Sequence, residues 1–355
     1  MAHSIQGTFV SEKINKVRWR PDPFNNSHCF ITGSWDGDEN KIKLWDFHDN
    51  EDSEVYPFVV SEIAHKGDVT EALFLNADTF ACSSSYGSVS LFKIMYREDS
   101  EISIEENIHW EHIHKFQNDE ISPCTSITSY DQDIVSVGED GRINLLTLSP
   151  EKIIRSYNNA DSCSINCVLF LKHNEILTSN SRGQMKIWDL RSKNEDPSST
   201  FILSGDMVAP TCLTYHPTQR HLVVAGDEEG SMTIWDLRQN TYPINLLRAH
   251  EESVTEIQFH PEYPDHLFSS SNSGEIWHWS VKSKSSNLIL GAPGEDEESN
   301  AWFTSDAFKN KLEVLTLMDK LHKPINSFDV NQTKVLCGCD NEAIYLINGI
   351  KLHNF

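Results

Sequence analysis

The sequence predicts an all-β chain folded as a closed ring of seven repeated four-stranded units. Three observations carry this expectation. A short pattern recurs nearly unchanged, as GQMKIWDLR from Gly183, GSMTIWDLR from Gly230 and GEIWHWS from Gly274. Inside each copy apolar residues alternate with polar ones, the period of a strand. The copies are spaced as the blades of a propeller are, at roughly 40–45 residues per unit.

Weaker copies complete the set. The frame places a turn residue five positions before an apolar anchor: Asn40 before Trp45, Gly87 before Phe92, Gly141 before Leu146, then Gly183 before Trp188, Gly230 before Trp235, Gly274 before Trp279, and Asn341 before Leu346. Successive anchors lie 42 to 67 residues apart. Each copy reads strand, tight turn, strand, and the turn position calls for positive φ, which Gly adopts freely and Asn tolerates. Ahead of each hairpin stands a further apolar segment: VRWRP, VTEALFL, CTSITSY, INCVLFL, TCLTYHP, VTEIQFHP and INSFDV. Few residues follow the last copy, so a fourth strand for it is expected from the N-terminal segment IQGTFVSEK, where Ile5 and Phe9 mark an alternation. Such pairing removes both open sheet edges, which otherwise template aggregation. Residues 1–355 are thus expected to form one domain, a seven-bladed β-propeller.

Tyr215-His216-Pro217 and Phe259-His260-Pro261 share one turn, and Ala64-His65 and Ala249-His250 stand in matching places before a blade. With the Trp-Asp endings, these residues resemble the WD-repeat family. The resemblance covers nearly the whole chain and implies a seven-bladed WD-repeat β-propeller. The repeats are degenerate, because no blade shows the full set of His, Ser or Thr, turn Asp and Trp. Blade six has His250 and Trp279 but Ser273 in place of Asp; blade three keeps Asp140 but has Leu146 in place of Trp. Packing between blades must therefore carry most of the cohesion. Acidic insertions at about 97–107 and 282–311 read as exposed loops.

Charge narrows the partners. Lys and Arg number 29 against 53 Asp and Glu, a net charge of −24. That surface repels phosphate, so nucleic acid and anionic membrane are not expected partners. The first residues, MAHSIQGTFVSEKINK, lack the apolar stretch of a secretory signal, and no apolar run reaches the ~18 residues of a membrane helix. Eight Cys without a C-x-x-C pair read as reduced, buried small hydrophobes. No phosphate loop, nucleophile elbow or H-E-x-x-H occurs, so no enzyme, cofactor, metal or small-molecule substrate is expected. His109-Trp110-Glu111-His112-Ile113-His114 is the densest metal-like cluster and reads as an outer strand with exposed His. Turn chemistry explains Glu139-Asp140 and Asp227-Glu228-Glu229, since Asp caps tight turns; Glu297-Glu298 stand in the second insertion.

Further segments narrow the resemblance: FVSEKINKVRWRP, TGSWDGDEN, VGEDGRINL, NADSCSINCVLFL, LLRAHEESVTEIQFHPEYPDHLF and LCGCDNEAIYL. They are similar to the small WD-repeat nucleoporins of the Y-shaped scaffold complex. The resemblance implies a non-enzymatic scaffold subunit at the nuclear envelope, binding helical scaffold nucleoporins of the short arm, with a kinetochore role in mitosis less directly implied. Two other classes stay open. The repeated Trp-Asp-Leu-Arg at 188–191 and 235–238 occurs in some cullin-ligase substrate receptors, and the acidity suits a histone or peptide reader. The candidate docking site is the rim carrying the turns between second and third strands: Trp35, Asp36, Tyr86, Glu139, Asp140, Asp227, Glu228 and Glu229, with Asp38, Glu39, Asp340 and Glu342. Among those turns Arg182 is the opposing base, so the expected field steers a basic partner, with Trp35 and Tyr86 as an aromatic anchor pair.

Overall fold

A computed structural model describes residues 3–22, 28–47, 56–97, 101–203, 207–239, 242–281, 302 and 312–352. These form seven antiparallel four-stranded sheets. The first strands are Ile14–Trp19, Val69–Asn76, Cys124–Tyr130, Ile165–Lys172, Pro210–His216, Val254–Phe259 and Ile325–Asn331. Each packs against the first strand of the next blade, and the last returns to the first, so the blades close a ring. Among the described residues there is no α-helix, and no helix is long and apolar enough to cross a membrane.

Blades pack face to face, which explains the composition of their middle strands. Phe30–Ser34 and His266–Ser271 are buried along their whole length, because both faces meet a neighbouring blade. Seven apolar clusters result, one at each junction between blades. Leu222, Val224, Met232 and Ile234 of blade five, for example, meet Val254, Ile257, Leu267 and Trp279 of blade six. The outer strands face solvent instead and are exposed over much of their length, as in Pro57–His65 and Leu312–Met318.

Every first strand carries a β-bulge at one and the same place. The register slips between Ile14 and Lys16, Val69 and Glu71, Cys124 and Ser126, Ile165 and Cys167, Pro210 and Cys212, Val254 and Glu256, and Ile325 and Ser327. The skipped residues are Asn15, Thr70, Thr125, Asn166, Thr211, Thr255 and Asn326, all Asn or Thr. A bulge frees its residue from the ladder and re-aims the side chain. Here each one donates to the first-strand carbonyl of the following blade, at 2.5 to 3.0 Å. Asn15 donates to Val69, Thr70 to Cys124, Thr125 to Ile165, Asn166 to Pro210, Thr211 to Val254, Thr255 to Ile325, and Asn326 back to Ile14. The belt is continuous around the ring.

The seam between the chain's ends has two further fastenings. Ser4–Phe9 pairs with the third strand of blade seven, from Ser4 opposite Asn348 to Phe9 opposite Ala343, and so supplies that blade's fourth strand. On the channel side, Arg18 of blade one reaches Glu71 and Glu256, each at 2.7 Å, and donates to Ser327 Oγ at 2.9 Å. Lys16 joins Glu71 at 3.1 Å, and Asp329 accepts from the Trp19 amide at 2.7 Å. Burial pulls the Arg18 guanidinium down, but Glu256 and Glu71 outweigh it and hold the group charged.

Several expectations are corrected. The five turn glycines at 87, 141, 183, 230 and 274 do have positive φ, but Asn40 and Asn341 do not. In blade seven the position belongs to Glu342, at φ 59°. Gly338 pairs with Ile344 as Gly226 pairs with Met232, so the anchor matching Trp235 is Ile347, not Leu346. In blade one the loop is longer and Asp36 takes the left-handed conformation. The N-terminal strand forms where alternation placed it, yet Ile5 and Phe9 point outward, 44% and 68% exposed. The first insertion is not simply a loop, because Ile102–Trp110 is the fourth strand of blade two. Most of the second, with Glu297 and Glu298, lies outside the described residues, but Trp302 is fully buried against Phe259.

Removing residues 1–12 should lower the melting temperature markedly and promote aggregation, because it strips blade seven of an edge strand; differential scanning fluorimetry with light scattering checks this. Thr255→Val keeps side-chain shape but orphans the Ile325 carbonyl, and should cost about 1–2 kcal/mol in urea unfolding, with Thr255→Ser costing less.

The acidic rim as a candidate docking site

The turns between second and third strands share one rim with the loops that enter the first strands. The residue opening most of these turns caps them from within. Ser34 Oγ accepts from the Lys41 amide, Ser84 Oγ from Tyr86, Asn180 Oδ1 from Arg182 and Gln184, and Ser271 Oγ from Ser273. Asp227 does this in blade five, taking the Glu229 and Ser231 amides on Oδ1 at 3.0 and 2.8 Å.

Inside the blades the family set is partly kept. In blade three His114 Nε2 meets Ser136 Oγ at 2.9 Å and Nδ1 meets Asp140 at 3.0 Å, so three of the four members are present. His114 is fully buried in the loop after the outer strand, and its role was hidden by the His-rich run, which read as exposed strand. Its spacing ahead of the blade's anchor, comparable with that of His250 from Trp279, was the available signal. In blade six His250 Nε2 and Trp279 Nε1 both meet Ser269 Oγ, at 2.8 and 2.9 Å. With Ser273 in place of Asp, His250 Nδ1 is buried without a hydrogen bond, and burial pushes the imidazole down to about 4. In blade five Ala225 stands where Ser269 does, and Trp235 Nε1 has no acceptor.

The rim sorts the predicted site residues into two groups. Asp140 is committed to the interior: its side chain is 1% exposed and also accepts from the Lys115 amide. Asp227 is 4% exposed. Trp35 is half-buried and donates Nε1 to Asp340 Oδ1 at 2.9 Å, which ties blade one to blade seven across the seam. Asp36 is exposed and paired with Lys13. Tyr86 is 42% exposed, with the Lys66 ammonium 5.3 Å from its ring. The two aromatics therefore turn to different neighbours. Glu139, Glu228 and Glu229 are exposed, and Glu228 also accepts from the Ala209 amide. Ile121 and Met207, exposed in loops entering blades three and five, are apolar members that the strand pattern did not mark. Those entry loops also bring Lys13, Lys66, Lys115, Lys320 and Lys323 to the rim, so Arg182 does not stand alone against the acids.

The chain is 37% identical to human nucleoporin Nup43, an alignment spanning 96% of this chain and 98% of that one, and mouse Nup43 matches equally well. A Dictyostelium discoideum nuclear pore complex protein, nup43, is 31% identical over 62% of this chain and 52% of its own. The chain belongs to the Nup43 family of nucleoporins. No protein-family model matches it. Membership places the molecule at the nuclear pore of the nuclear envelope. For a Nup43-family propeller, the two Trp-Asp-Leu-Arg endings have a structural reason: Asp189 pairs with Arg191 at 2.9 Å and Asp236 with Arg238 at 2.7 Å, while Trp188 and Trp235 are buried. The cysteines are free thiols, five buried and three half-buried.

Asp227 makes a stability prediction with a definite sign. Burial raises its carboxyl above the usual range, so ionisation costs more in the folded chain than in the unfolded one. That cost is present above the folded pKa and absent below the unfolded one. Asp227→Asn should therefore raise the melting temperature at pH 7, and the gain should vanish as pH falls through the carboxylate range; thermal melts from pH 3 to 8 check it.

Proposed function

We propose that this Nup43-family propeller is a non-catalytic scaffold subunit of the Y-shaped complex, docking a basic segment of a helical nucleoporin of the short arm on its acidic rim. The carrying observation is full-length similarity to nucleoporins in a chain of net charge −24 whose rim exposes Tyr86, Glu139, Glu228 and Glu229 beside Ile121 and Met207. An aromatic and apolar centre among like charges suits a basic amphipathic partner. Trp35 and Asp140 are left out of the contact set because each already serves the fold.

The test is a variant combining Tyr86→Ala, Glu139→Lys and Glu229→Lys, tagged and followed in interphase cells. It should fold with an unchanged β-sheet circular dichroism spectrum yet lose its place at the pore, and affinity purification should lose the helical nucleoporins. Normal localisation would assign docking to the opposite face or the outer strands. Recovery of a cullin adaptor by the unmodified protein in place of nucleoporins would overturn the reading altogether.

A further inference from the structure

Blade five carries a cavity of about 470 Å³ on the rim, walled by Val208 and Leu246 and lined by Asp227, Glu229, Ser231, Arg248 and His250. Asp227 is the feature that needs explaining. At the matching position four other blades cap their turns with neutral groups, Ser34, Ser84, Asn180 and Ser271, and blades three and seven have Gly138 and Cys339 there. Asn180 makes the same pair of amide bonds that Asp227 makes. The turn therefore requires no charge at this position.

The charge is costly where it stands. Asp227 is 4% exposed and has no cation within ion-pair distance. Asp140 is matched by Arg142, Asp161 by Lys186, Glu71 and Glu256 by Arg18, and Asp236 by Arg238, while Asp329, which has no ion pair, has both oxygens bonded, by the Trp19 amide and by Gln258. An unpaired buried carboxylate costs free energy. Oδ1 takes both turn amides, and Oδ2 is left without a hydrogen bond. His250, on the same lining, keeps a buried Nδ1 that makes no hydrogen bond and has Glu275 Oε2 3.6 Å away.

We infer that this cavity receives a single lysine or arginine side chain of a partner protein, its cationic head on Asp227 and Glu229. The chemistry matches along the length of such a side chain. Val208 and Leu246 cover an aliphatic stem, and the two carboxylates take the head. Arg248 is exposed and carries no ion pair, so it favours a carboxylate next to the inserted residue and disfavours a second cation. The inference rests on the rim reading for the partner's identity, but its test uses small isolated compounds, so the two fail separately.

The full chain, methyl-labelled at Val and Leu, is titrated with N-acetyl-arginine amide, N-acetyl-lysine amide and the neutral N-acetyl-norleucine amide. The cationic amides should shift the Val208 and Leu246 methyl signals saturably. Norleucine amide should bind at least about tenfold more weakly, the loss of roughly one charge-assisted hydrogen bond. Asp227→Asn should weaken the cationic amides equally while remaining folded, as Asn180 shows an amide can hold this turn, and Glu151→Gln, on the outer strand of blade three, should change nothing. Absent shifts, or shifts that survive in Asp227→Asn, would overturn the assignment.

Discussion

Each blade hands one side chain to the next. A bulge at the head of every first strand lifts an Asn or Thr out of the ladder, and that side chain donates to a backbone carbonyl of the following blade. The accepting carbonyls belong to residues such as Ile14, Val69, Cys124 and Ile325, which are completely buried. In the interior an unbonded carbonyl is expensive, and the belt gives each of these carbonyls a donor from the neighbouring blade. It also fixes the stagger between blades, which the face-to-face apolar clusters alone would permit to slide. A ring of such contacts has no free end, and each bond is held in place by the others.

Closure makes the ends of the chain structural. The N-terminal strand occupies the edge of blade seven, Arg18 gathers carboxylates from blades two and six, and Trp35 reaches Asp340 over the rim. These three fastenings lie at different depths of one seam. They compensate for the missing family bonds elsewhere. Blade five lacks an acceptor for Trp235, blade six lacks the turn Asp beneath His250, and blade three lacks the Trp. The internal networks of these blades are incomplete, whereas the belt between blades is intact at every junction.

The same economy separates the acids of the rim by role. Asp140 orients His114, and Asp340 holds Trp35 and Asn326. Glu139, Glu228 and Glu229 lie on the surface, where a net charge of −24 gives them reach beyond contact distance. Asp227 belongs to neither group, being buried, bonded to its turn and yet electrically unmatched. Residues of one type in successive turns thus do different work, decided by which neighbour each meets.

Periodicity, turn glycines and the Trp anchors were enough to specify a seven-bladed ring, its first strands and its N-terminal closure, because these depend on local rules: strand alternation, positive φ, and the need to bury both faces of a middle strand. The sequence also shows the belt's Asn and Thr at the head of each first strand, but their meaning is invisible without the bulge. What the tertiary structure alone decided concerns partners. Ile5 and Phe9 alternate as core residues do, yet face solvent, because they lie on the outermost strand of blade seven, on a face that no other blade covers. His114 looked like part of an exposed cluster until Ser136 and Asp140 were seen around it. Asp140 and Asp227 looked like surface charge, and Trp35 like a free anchor, because sequence records the turn and not what packs against it. Burial and hydrogen bonding across blades are relations between residues far apart in the chain, and only the closed ring brings them together.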